Sequence, residues 1–299
     1  MAPGRPAVTD AAEEAWPQQP DGLVALQGEL RRWAAEALAA DPFRLPEAAL
    51  IGGCFVAFAR GEAGPGRPGD RAFAAAVVWE PGHDALLRRG RGGVPARSEG
   101  RALRGTRRDR PRQAADVVDQ AVVQAAVGAA YAPGLLALRE GPVLAAAVAG
   151  LARRPGVLLV DASGADHPRR AGLAVHLGWA LDLPTVGITR RPLRAATGPP
   201  AGPVGAGHGA AGRVGAADDR GGPVRGWWAP LFLDGDVVAA LVGTRTGARP
   251  VVAHAGWRTD VDTAVAVALA ASTEGARAPV PLQEARRVAR EARDLAGAG

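Results

Sequence analysis

The chain has 299 residues, 47% of them hydrophobic, enough to bury a substantial core in one large domain carrying insertions. Its formal charge is +6 and its pI about 11.0, which favours a polyanionic partner; all 36 basic residues are arginine, as the codon bias of a GC-rich genome would give, so arginine richness by itself says little. A single cysteine, Cys54, excludes an internal disulfide and a Cys-based zinc site, and without a signal-peptide pattern or an apolar run of about 18 residues the expectation is a cytoplasmic monomer with no membrane partner.

Residues 1–21 are rich in Pro, Ala and acidic groups without periodicity and are expected to form a disordered tail. Leu23, Leu26, Leu30, Trp33 and Leu38 then recur at helical spacing and predict a first helix. The apolar run 48–58 and the segment 71–79 predict two strands, joined as a hairpin through a Gly/Pro-rich connection. Residues 88–112 hold ten arginines against Glu99 and Asp109 and have no apolar stripe; they read either as a solvated insert or as a basic arm tracking a phosphate backbone.

A third strand is expected over 117–127, a turn at Tyr131-Ala132-Pro133-Gly134, and a helix beginning at Pro142 and running to Leu151, which leaves Glu140 near its N-terminus. Residues 157–161 form the clearest buried strand, with Asp161 at its carboxyl end, where ligands gather in α/β sheets. A helix over 168–181 and a strand over 184–188 follow, and this alternation predicts a mixed, partly parallel sheet. Residues 195–225 are again Gly/Pro/Ala-rich; short strands are expected at 227–231, 237–243 and 250–254, and helices at 260–271 and 283–295.

Glu140 and Asp161 are the strongest candidates for metal ligands, because hard oxygens at strand and helix ends can hold Mg²⁺. From residue type alone the plainer reading prevails, Glu140 as a helix-dipole partner and Asp161 as a turn cap. Tyr131 is open between a ring packed over its turn and an exposed aromatic that acts on a ligand.

The segment from Tyr131 through Arg139-Glu140-Gly141-Pro142 resembles the endonuclease V family, in which a Tyr-X-Pro-Gly turn precedes an Arg-Glu-Gly-Pro element. The run Val160-Asp161-Ala162-Ser163-Gly164, ending in His167-Pro168-Arg169, is similar to that family's Val-Asp-Gly-His-Gly segment with its His-Pro-Arg end. The likeness continues through Ala174-Val175-His176-Leu177-Gly178, Leu183-Pro184-Thr185-Val186-Gly187-Ile188 and Trp228-Ala229-Pro230, and covers roughly residues 24–275.

The resemblance implies a ribonuclease H-like α/β fold, a mixed sheet flanked by helices. It implies a domain at 22–275 with insertions at about 84–113 and 195–225, followed by a C-terminal helix and tail at 276–299. It further implies a Mg²⁺-dependent endonuclease that hydrolyses a phosphodiester 3′ to inosine in DNA or RNA containing deaminated purine. Glu140 and Asp161 would bind the metal, Tyr131, Ala132, Pro133 and Gly134 would wedge into the strand, His167 would lie near the phosphate, and Arg190 would stand for the family lysine.

The departures from the pattern carry chemical weight. The family's first strand bears an aspartate where this chain has Phe55, which cannot ligate a metal, and the histidine of a late Gly-His-Arg element is Trp257 here. Ala162-Ser163 replaces a Gly-His pair. Losing one carboxylate of three predicts poor metal binding, unless Glu62, Asp70 or Asp166 supplies a relocated ligand. The rival expectation is a catalytically inactive module that binds nucleic acid or a partner by stacking and phosphate contact.

Overall fold

The computed structural model describes residues 15–59, 66–81, 116–198, 223–273 and 275–297. Most of the two insertions, the first fourteen residues and Glu62 lie outside them. The elements run in the order α1 (Pro20–Ala40), β1 (Ile51–Phe58), β2 (Arg71–Trp79), β3 (Val117–Ala126), α2 (Leu136–Ala149), β4 (Val157–Val160), α3 (Leu173–Leu181), β5 (Thr185–Thr189), β6 (Ala196–Thr197), β7 (Trp228–Leu233), β8 (Asp236–Val242), β9 (Val251–Ala255), α4 (Val261–Ala270) and α5 (Val280–Ala296).

Among the described residues the nine strands share one sheet in the order β3-β2-β1-β4-β5-β9-β8-β7-β6. β1, β4 and β5 are mutually parallel; β1 and β2 form the expected antiparallel hairpin, and β3 pairs antiparallel with β2. This is the mixed sheet flanked by helices that a ribonuclease H-like chain should form. β4 reads Val-Leu-Leu-Val and is buried throughout, because helices cover both of its faces: Leu158 and Val160 pack with Leu144 and Leu177 on one side, Leu159 with Val265 and Leu282 on the other.

Several boundaries differ from the sequence reading. The helix expected from Pro142 starts six residues earlier, so that Pro142 lies inside it and Glu140 on its second turn. Ala137 and Leu144, on either side of Pro142, are buried in the same cluster, and that packing carries the helix through the missing N–H. The helix expected from 168 starts only at Leu173, because Arg170 has a left-handed φ of 58°. Ala195 is buried and Ala196–Thr197 pairs with β7, so the second insertion begins as sheet.

Both ends of the described chain belong to the core. Ala15 is buried and Trp16 stacks on His176 with ring centroids 4.4 Å apart, so the chain is packed from residue 15, although residues 18–21 are exposed. α5 buries Val280, Leu282, Ala285, Val288 and Ala289, spaced for one helical face, against β1 and β2. It comes this close because a Cβ at Gly53 would lie 2.5 Å from the Pro281 carbonyl carbon. The C-terminal helix is therefore part of the same layer structure, not an appendage to it.

Candidate active site and nucleic-acid cleft

Two adjoining cavities, of about 240 Å³ and 320 Å³, share Tyr131, Leu136 and Asp161 and form one cleft along the carboxyl ends of β1 and β4. The strand ladder explains the placement. Cys54 pairs with Val160, so the next residues, Phe55 and Asp161, stand level on neighbouring strands. Side chains alternate along β1: Cys54 faces the cluster under α2, and Phe55 packs towards Ala285 and Val288 on α5.

Glu140 comes to the same cavity from α2. Its carboxyl is pushed up to about 7, first by loss of hydration among Leu136, Leu144 and Phe58, then by the charge of Asp161. The resemblance thus pairs two residues that the fold does bring together. Phe55 lines the same cavity from the α5 side and offers no oxygen.

Asp161 is already engaged. Arg286 on α5 donates from Nη2 to Asp161 Oδ2 at 2.8 Å, across 125 residues of sequence. The guanidinium carbons of Arg286 and Arg290 stand 5.4 and 5.9 Å from the centre of the Phe55 ring. Among the described residues no group of three His, Cys, Asp or Glu side chains could hold a metal ion. The residues as they stand therefore do not fit a divalent ion: one expected oxygen is a phenyl ring, and a second carries a fixed cation.

The other acids considered as replacements are committed elsewhere. Asp70 pairs with Arg139 at 2.6 Å, both side chains nearly buried. Asp166 is fully buried, not in solvent, and accepts the backbone N–H groups of Leu193, Arg194 and Ala195 at 2.7–2.8 Å. It shapes the loop after β5, whose Arg191, Pro192 and Leu193 line the smaller cavity.

Tyr131 stands where the two cavities meet and is 48% exposed, which removes the core-packing reading of its ring. The turn beneath it is held by one acceptor. The Gly134 carbonyl receives His167 Nε2 at 3.1 Å, Arg169 Nη2 at 2.9 Å and Gln27 Nε2 at 3.3 Å, and Arg169 Nε donates to Gln27 at 2.6 Å. Gly134 takes φ of 76°, a conformation that favours glycine.

His167 accepts from the Arg169 N–H at Nδ1, so its proton sits on Nε2 facing Gly134. Burial holds its pKa down to about 4. It is a neutral brace of the Tyr131 turn at a wall of the cleft, not a side chain free to meet phosphate. Ala132 is half-buried and Pro133 exposed beside Tyr131.

Arg190 is exposed and close enough to Arg277 to disfavour that cation's charge; Arg191, not Arg190, lines the cleft. Trp257 is buried among Leu30, Val175 and Trp179, so the position read as a lost site histidine belongs to the core. Arg286, Arg290 and Gln27 were not singled out in the sequence. Their only signal there is helical spacing, which places Arg286 and Arg290 four residues apart on one face.

The family model for endonuclease V matches residues 110–287. Among curated relatives, an endonuclease V of Gloeobacter violaceus is 37% identical over 57% of this chain and 61% of its own length. Such alignments span about three fifths of the relatives they match. The structure of an endonuclease V from Streptomyces avermitilis is similar with a TM-score of 0.67 and 29% identity, covering 94% of this chain and 96% of the other. An endonuclease V of Ciona intestinalis, in complex with a 23mer DNA containing an inosine followed by a ribo-adenosine, shares the fold with a TM-score of 0.60 and 18% identity, covering 93% and 99%.

Proposed function

The chain belongs to the endonuclease V family, and from that premise we propose that it acts on DNA or RNA strands containing deaminated purine, chiefly inosine. The observation that carries this is the exposed Tyr131 ring at the junction of the two cavities, on a turn fixed by three donors to one carbonyl. A rigid aromatic at that place can enter an opened base step and replace the lost stacking, with Pro133 beside it. Arg191 on the wall of the cleft and Arg286, paired with Asp161, supply charge for the backbone. The complex of the Ciona intestinalis relative with inosine-containing DNA supports this choice of substrate class.

Hydrolysis 3′ to the lesion is the second reading, favoured by the retention of Glu140 and Asp161 on one cavity. In this family it is metal-dependent, and Glu140 and Asp161 are the two oxygen donors retained for that chemistry. With Phe55 beside them and Arg286 on Asp161, the geometry supports recognition of the strand ahead of its cleavage.

One assay separates the readings. The protein is incubated with inosine-containing and unmodified oligonucleotides in Mg²⁺, Mn²⁺ or EDTA, and both retention and nicking are read. Selective retention without nicking is the expected result. Equal retention of both strands refutes the inosine reading, and metal-dependent nicking establishes the hydrolytic one.

A further inference from the structure

Arg286 and Arg290 lie one turn apart on α5 and share one support, the Phe55 ring. Arg286 spends one of its donors on Asp161 Oδ2, which fixes the plane of the guanidinium and leaves the rest of its fork for another acceptor. Arg290 is exposed beside it. We propose that Arg286 and Arg290, braced on Phe55 and Asp161, form a clamp that holds a phosphate of the nucleic-acid backbone at this end of the cleft without a divalent ion.

The charge balance favours this ligand. A set of three carboxylates repels phosphate until a metal neutralises it. Here a phenyl ring replaces one carboxylate and a guanidinium is paired with another, so Arg290 stands as positive charge beyond a neutralised pair. The ring and carboxylate pre-order Arg286, which reduces the side-chain entropy lost when phosphate arrives. Two guanidiniums on one helix face match the spread of oxygens on a phosphodiester, which takes bidentate Arg contacts. Phe55 and Asp161, the two supports of the clamp, line the cavity that Tyr131 also lines, so a strand opened at Tyr131 passes beside it.

The inference rests on the nucleic-acid reading and is tested separately from it. Fluorescence anisotropy of the full chain with labelled single-stranded oligonucleotides, inosine-containing or not, is measured across a salt series in EDTA and in Mg²⁺. Affinity in EDTA is expected to stay within about twofold of that in Mg²⁺, and Arg286→Gln and Arg290→Gln each to reduce the log–log salt slope by about 0.7, one phosphate contact on a single strand. Arg286→Gln frees Asp161 and can disturb the fold, so thermal melts accompany both variants, and Arg290→Gln on the exposed turn remains decisive. Loss of more than tenfold in affinity on chelation, or wild-type affinity and slope in Arg290→Gln, overturns the clamp. Equal affinity for the two strands refutes the Tyr131 reading while the slopes still judge the clamp; no binding of either strand overturns both.

Discussion

Restoring the missing carboxylate tests how the centre lost its fit for metal. Phe55→Asp puts an oxygen ligand level with Asp161 on the next strand, yet under the two guanidiniums of Arg286 and Arg290. The new carboxylate should pair with them, so the single variant is expected to gain little metal affinity. Adding Arg286→Ala frees Asp161 and removes a unit charge. At about 5 Å from a divalent ion that charge costs roughly 1.7 kcal/mol even at the dielectric constant of water, and more in a partly buried site. The double variant should therefore bind Mn²⁺ at least about tenfold more tightly than Phe55→Asp alone. Loss of the half-buried ring costs about 2 kcal/mol in both variants. Binding at about 100 times Kd returns about 2.7 kcal/mol, and for a domain of this size each kcal/mol moves Tm by about 2–4 °C. Paramagnetic resonance of free Mn²⁺ and melting curves with and without metal give the two readouts. Equal Mn²⁺ affinity in the single and double variants, or tight binding by the unaltered chain, refutes the assignment of Arg286 as the competing cation.

Other consequences are open to direct measurement. Tyr131→Ala should abolish the preference for inosine-containing strands while shifting Tm by less than about 2 °C, because the ring is half exposed; loss of a cooperative melt would refute the wedge assignment. Deleting residues 88–112, which lie outside the described residues, should lower both affinity and salt slope, and unchanged binding would mark them as a passive insert. Asp166→Ala leaves three backbone N–H groups without their acceptor and is expected to cost about 3–5 kcal/mol, read by urea unfolding. Burial lowers His167, His176 and His254 to about 4 from 6.5, so between those values the unfolded chain binds more protons and stability falls as pH drops. Glu140, raised to about 7, acts the other way, because the folded chain holds its proton up to that pH. Three histidine protons against one leave two, a slope of at most about 2.7 kcal/mol per pH unit near pH 5–6; a flat urea midpoint across that window would contradict the burial of these histidines.

The sequence was sufficient wherever the signal is local. The β-strands at 51–58, 71–79 and 157–160 show as apolar runs between turn residues, and burial on both faces allows nothing else there. Tyr131, Glu140 and Asp161 lie in contiguous segments whose residue order carries the family pattern, so the two carboxylates and the tyrosine could be named before any contact was known, but the exposure of its ring could not. The substitution at Phe55 was legible for the same reason, since a missing oxygen is a fact about one position.

What fills the place of that oxygen was not legible. Arg286 meets Asp161 across 125 residues, and Gln27 reaches Gly134 across 107. In a chain where all 36 basic residues are arginine, nothing marks one of them as the partner of a particular acid. His167 and Trp257 mislead in the same way: a histidine in a family motif turns inward to brace a turn, and a tryptophan at a supposed site position is core. The packing of α5 on β1, made possible by the absence of a side chain at Gly53, brings Arg286 and Arg290 over Phe55. Residue identity is written along one dimension, but the charge balance at a site is summed over every element that packs against it, and here the element that decides it enters last from the far end of the chain.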